Sequence, residues 1–107
     1  MISRIWRGWT THANADTFED LVRTQHYPTL LGRPIPGFRG SVLLRLNRPG
    51  QTEFQNIMLF ESMDALRTLA ADGIDKPLYL PPASRALLQR FDQRAEHFDV
   101  RECREGP

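Results

Sequence analysis

The sequence predicts a single α+β domain, a four-stranded antiparallel sheet carrying its helices on one face. Three observations lead there. The chain has 107 residues, which support one domain and not comfortably two. Segments of strand character and of helical periodicity follow one another as strand, helix, strand, strand, helix, helical segment, strand. The two central strands flank a short turn at Pro49-Gly50 and read as a hairpin.

Each element has its own signal. Ile2 to Trp9 mixes β-branched, aromatic and charged residues and is the first strand. Thr11 or Asn14 then offers an N-cap, because a short side-chain oxygen accepts from unpaired first-turn amides. Asp16 and Glu19 favour the same helix end through the dipole. Phe18, Leu21, Val22, Leu30 and Leu31 supply an apolar stripe. Pro28 is expected to break or kink that helix near His26-Tyr27, since it removes a donor and crowds the preceding turn. Phe38 to Asn47 and Thr52 to Glu61 form the hairpin. Ser62 caps a second helix with Leu66 and Leu69 on its buried side, and Pro82 opens a further helical stretch, Ala83 to Phe91. Ala95 to Glu102 is the last strand. Stretches such as Arg33 to Gly37 and Lys76 to Pro82 read as connections. This order is that of a split βαβ unit, the ferredoxin-like βαββαβ arrangement, over residues 1–102, with a charged tail at 103–107.

Composition excludes several function classes. Fourteen basic and thirteen acidic residues give a net charge of +1. No block of one sign suggests a nucleic-acid or membrane partner. No apolar run approaches the ~20 residues of a membrane span. One cysteine, Cys103, fits a reducing compartment. No signal peptide is visible at Met1, so the expected location is the cytoplasm.

The hairpin allows a finer expectation. With Asn47 opposite Thr52, one face holds Gly40, Val42, Leu44, Leu46, Ile57 and Leu59, and is expected to pack under the helices. The other holds Arg39, Ser41, Leu43, Arg45, Phe54, Asn56, Met58 and Phe60. Left uncovered, Phe54, Met58 and Phe60 would form an apolar patch of the kind that marks an interface. Two sheets stacked on these faces would make a homodimer enclosing the polar groups.

Two motifs carry a resemblance. Ile35-Pro36-Gly37-Phe38-Arg39-Gly40 enters the second strand, and Met58-Leu59-Phe60-Glu61-Ser62-Met63-Asp64-Ala65-Leu66 leaves the third. With them the chain resembles the antibiotic-biosynthesis-monooxygenase-like proteins, from Ile2 to Glu102. The resemblance implies a ferredoxin-like subunit dimerising into an α/β barrel. That family includes quinone-forming oxygenases without cofactor, haem-degrading enzymes and members of no known activity. The haem-degrading kind uses an Asn on the first strand, where Trp6 stands here. It places a Trp on the helix after the third strand, where only Leu66 and Leu69 occur, and a later His, which Ala83 to Phe91 lacks. Haem degradation is therefore disfavoured.

Within that frame the chemistry-bearing residues are few. His12 falls in a connection and reads as solvated. His26 precedes Tyr27 at the expected helix break, where it lines a pocket or satisfies terminal carbonyls. His97 faces the barrel interior if Phe98 and Val100 join the helix core. There it is a general base, its ordinary pKa lying near neutrality, or a hydrogen-bonded structural residue. Asn56, between Phe54 and Met58, either bonds a neighbour or awaits a ligand oxygen, since a buried unpaired amide is costly. Arg45, and Arg4 on the first strand, are suited to stabilising a phenolate or enolate, the alternative being an ion pair across the dimer. Trp6 and Trp9 face opposite sides of their strand, with Trp6 placed in the interior. Ser84, His97 and Asp99 lack the nucleophile-elbow context of a hydrolase. No metal-ligand spacing or phosphate loop occurs.

The expected activity is a cofactor-independent monooxygenase acting on a small aromatic or polyphenolic substrate, with no metal. His97 would serve as base, Asn56 and Arg45 as anion stabilisers, and Trp6, Phe54, Met58, His26 and Tyr27 as binding residues. The rival is a non-catalytic small-molecule-binding or structural homodimer of the same fold.

Overall fold

Alternation of buried and exposed side chains builds one antiparallel sheet from Ile2–Thr10 (β1), Phe38–Arg48 (β2), Gln51–Phe60 (β3), Leu88–Phe91 (β4) and Glu96–Asp99 (β5). A computed structural model describes residues 1–70, 73–77 and 79–106. Leu78, inside the expected Lys76 to Pro82 connection, and Pro107, the end of the expected tail, lie outside the described residues. The strand order is β2-β3-β1-β4, with β5 also paired to β1. This is the ferredoxin-like arrangement, an antiparallel sheet with its helices on one face.

The last strand departs from expectation. β4 pairs with Gly8 to Thr10 and β5 with Ile2 to Ile5, so both lie along the same edge of β1. Between them Asp92 still donates its N–H to Arg7 O at 2.9 Å. They are one edge strand interrupted where residues 92–95 outnumber their partners. The helical stretch expected over Ala83 to Phe91 is only Pro82–Arg85 (α4). Beyond it, pairing of Leu88 to Phe91 with β1 overrides local helical character. Gly8 makes room for this, since a Cβ there would lie 3.0 Å from Leu88 Cδ2.

Thr11 caps His12–Leu21 (α1), its hydroxyl accepting from Asn14 N–H at 3.1 Å. Pro28 does not break the helix. The chain widens into a π-helical turn, Val22–His26, in which Tyr27 N–H reaches Val22 O. Pro28 then falls in the first turn of Tyr27–Leu31 (α2), where a missing donor costs nothing. Such π turns are frequent at functional sites. Ser62 caps Met63–Leu69 (α3), accepting from Ala65 N–H at 3.3 Å.

The hairpin register is as counted, Asn47 opposite Thr52 and Leu43 opposite Asn56, but the two faces are exchanged. Phe54, Met58 and Phe60 are 1%, 1% and 0% exposed, while Val42, Leu44 and Leu46 are 46%, 45% and 50% exposed. Phe54 packs with Ala15, Phe18 and Val22, and Met58 and Phe60 pack with Leu66 and Ala70. Volume decided the matter. Phe18, Val22, Tyr27 and Leu66 of the helical segments interlock with the large residues of the mixed face and fill the space between the layers. Of its polar members Asn56 is paired with Tyr27 and Arg45 with Asp16 and Glu19, whereas the buried Ser41 hydroxyl has no partner among the described residues.

Gly37 ties the entry of β2 to α3. Its φ is +80°, and a Cβ would lie 2.6 Å from Ala65 Cβ. Its carbonyl accepts from Glu61 N–H at 2.7 Å. Gly37→Ala is therefore expected to destabilise the fold by about 1–3 kcal/mol. A urea midpoint equal to the wild type's would contradict this.

Candidate functional site

A cavity opens between the sheet and the helices. Arg4, Trp6, Phe54, Asn56 and Met58 of β1 and β3 form its floor, and Leu43 of β2 lies beside them. Phe18, Val22, His26, Tyr27 and Leu30 form the roof, and Pro77, Tyr79 and Leu80 close one side. Its volume is about 50 Å³, room for a few water molecules, and it is continuous with an open mouth. The π turn sets the roof. By delaying the helix it brings both His26 and Tyr27 over the sheet.

Few polar groups interrupt the apolar walls. Asn56 Nδ2 donates to Tyr27 Oη at 2.5 Å. Burial pushes the Tyr27 phenol above its ordinary value, opposed by the nearby Ser41 hydroxyl and by the bond from Asn56. Because Asn56 donates into the phenol oxygen, the phenol hydrogen is available to another acceptor. His26 Nε2 lies 2.7 Å from Ser84 Oγ, and both residues are buried. The imidazole meets Phe18 and Tyr79 edge to face at 6.3 and 5.1 Å. Burial holds its pKa below the usual histidine value. Trp6 donates its indole N–H to Asp92 O at 2.9 Å, which fixes the ring.

Trp6, Phe54, Met58, His26, Tyr27 and Asn56 are thus brought together, under the helices and not between two sheets. His97 and Arg45 are not among the lining residues. His97 stands opposite Arg4 on the helix side of the sheet, while Phe98 points to the uncovered face, the reverse of the expected orientation. Its Nδ1 lies 3.8 Å from Asp75 Oδ1, and among the described residues its buried Nε2 has no partner. Burial and the Arg4 charge lower its pKa, against the pull of Asp75. Arg45 bridges to α1 through Asp16 at 2.8 Å and Glu19 at 3.2 Å. Trp9 lies on the other sheet face, donating to Glu53 at 3.0 Å. Sequence reasoning did not connect Ser84 to His26, nor Tyr79 to the cavity. No local pattern links residues 58 positions apart; only the Pro81-Pro82 turn start was legible.

Buried His26 and half-buried His97 make stability pH-dependent with one sign. Their folded pKa values lie below 6.5, so the unfolded chain binds more protons in that window. Stability is full above about 6.5 and is lost as pH falls toward the folded values. The urea midpoint should drop between neutral and mildly acidic buffer, and His26→Gln should shrink that drop. A midpoint flat across the range would refute it.

The fold and cavity define a class: a ferredoxin-like domain with a largely apolar pocket beneath its helices. Solved structures carry the comparison further. The cofactor-independent oxygenase SnoaB of Streptomyces nogalater shares 27% identity, covering 95% of this chain and 94% of its own, with a TM-score of 0.60. The monooxygenase ActVA-Orf6 of Streptomyces coelicolor, in complex with Nanaomycin D, shares 16%, covering 99% and 92%, TM-score 0.65. The heme-degrader MhuD of Mycobacterium tuberculosis, with two hemes bound, shares 18%, covering 98% and 100%, TM-score 0.58. No protein-family model and no curated protein matches the sequence. Over nearly its whole length the chain is similar in structure to antibiotic-biosynthesis-monooxygenase-type proteins.

Proposed function

We propose that the chain is a cofactor-independent monooxygenase of small aromatic substrates, working as a homodimer. The observation that carries this reading is the Asn56–Tyr27 pair set with His26 in a largely apolar cavity. An enolisable aromatic bound against Trp6 loses a proton to His26, while Tyr27 and Asn56 bond the oxygen on which negative charge develops. Molecular oxygen adds to the resulting carbanion and loss of water leaves a carbonyl. One oxygen atom enters the product, the other the water, and a CH₂ becomes C=O. His26 replaces His97 as the base because it lines the cavity. The required tautomer has Nε2–H donating to Ser84 and Nδ1 unprotonated. A haem is disfavoured, since β1 carries Trp6 where the haem-degrading kind has an Asn, and α3 carries Leu66 and Leu69 and no Trp.

The homodimer rests on the uncovered sheet face. Val42, Leu44, Leu46 and Phe98 are each 45–50% exposed, and Ile5 and Ile57 lie in register beside Val42. A second copy of the same face would cover them.

An anthrone-type polyphenol tests the reading. It should quench tryptophan fluorescence, with Trp6→Phe removing most of the quench and Trp9→Phe little. Oxygen uptake should exceed the protein-free rate, and should persist to a pH below 6.5, because burial keeps His26 neutral there. Quenching without oxygen uptake would leave a binding protein and refute the oxygenase.

A further inference from the structure

Arg4 is an unusual wall for an apolar cavity. It is 1% exposed, and it lines the space beside Trp6, Asn56 and Met58. Its Nε donates to Ile74 O at 3.4 Å and a terminal nitrogen to Lys76 O. Those carbonyls satisfy donors but supply no countercharge. Among the described residues no carboxylate pairs with it. The acid that acts on it is Asp75, itself exposed and acting through space. Burial lowers the guanidinium pKa to about 10, so the charge remains at neutral pH. His97, its neighbour on β5, is held toward the neutral form and adds no negative charge.

Burying an unpaired cation costs several kcal/mol. It is tolerable where a ligand later brings the opposite charge into the same low-dielectric space, where the attraction is strong. A guanidinium has five donors in a planar fork matched to a carboxylate. From this we infer that the cavity selects an aromatic acid: a ring system bearing a carboxylate, whose charge lies toward Arg4 while its rings lie against Trp6 and Met58. The inference rests on the aromatic-cavity reading and names the substrate class for it. It assigns Arg4 to recognition, separate from the Tyr27 and Asn56 bonds to the reacting oxygen.

Naphthalene-carboxylate and naphthalene-carboxamide test it, being close in shape and different in charge. Calorimetric titration at neutral pH should show the carboxylate binding at least about tenfold tighter, with both probes shifting the Trp6 indole N–H resonance. Arg4→Gln should bring the two affinities within about twofold, and Arg4→Lys should keep part of the preference. Equal affinities in the wild type, or a preference that survives in Arg4→Gln, would overturn the assignment and leave the aromatic cavity standing. Binding of neither probe would overturn both. If Arg4→Gln loses its fold by circular dichroism, the wild-type contrast and Arg4→Lys still decide.

Discussion

The wild type is expected to scatter light as twice the 12.4 kDa chain mass, and Leu44→Glu to yield monomers. Leu44 stands at the centre of the uncovered face, between Val42 and Leu46 on β2 and opposite Gln55 on β3. Obligate homodimers commonly bury ~2,000 Å² or more, with an apolar centre. A C2 interface applies the same patch twice, so one substitution introduces two buried carboxylates. Each lacks a partner and costs several kcal/mol, enough to dissociate the pair at micromolar concentration. A substitution at Met58, on the opposite face, should instead lower subunit stability. A wild type that stays monomeric through the whole dilution series would remove the dimer.

Asn56→Ala is expected to lower oxygen uptake by ~10²–10³-fold, the usual worth of one donor to a developing oxyanion. The effect should fall on kcat more than on KM, because the bond strengthens as charge develops. Two losses combine: the amide no longer reaches the substrate oxygen, and Tyr27 Oη loses the donor that orients it at 2.5 Å. Tyr27→Phe should fall in the same direction, and the double variant should lose less than the product of the two. His97→Ala should leave the rate within a few-fold of the wild type, since His97 is not among the lining residues. The reverse pattern, with His97 essential and Asn56 dispensable, would return the chemistry to the β5 edge.

Much of the fold was legible because its signals are local. Pro49-Gly50 set the hairpin register, Thr11 and Ser62 marked two helix starts, and alternation in Ile2 to Trp9 put Trp6 and Trp9 on opposite faces. The edge strand was harder. Leu88 to Phe91 gains its extended form only from pairing with Gly8 to Thr10, a partner some 80 residues away in sequence.

The candidate site divides in the same way. From residue type and parity alone, Trp6, Phe54, Asn56 and Met58 could be grouped on one wall, and His26 and Tyr27 suspected beside them. Which side that wall faced was beyond such reasoning, because a strand's period specifies two faces without saying which is covered. Purity of apolar character favoured the Val42–Leu46 row; the fit of Phe54, Met58 and Phe60 beneath Ala15, Val22 and Leu66 prevailed. That packing moved the cavity inside the single chain's fold and gave His26 the position expected of His97. Sequence by itself determined the order of elements and the residues sharing each face. The tertiary structure decided which face became core, since only three-dimensional packing compares the volumes to be filled.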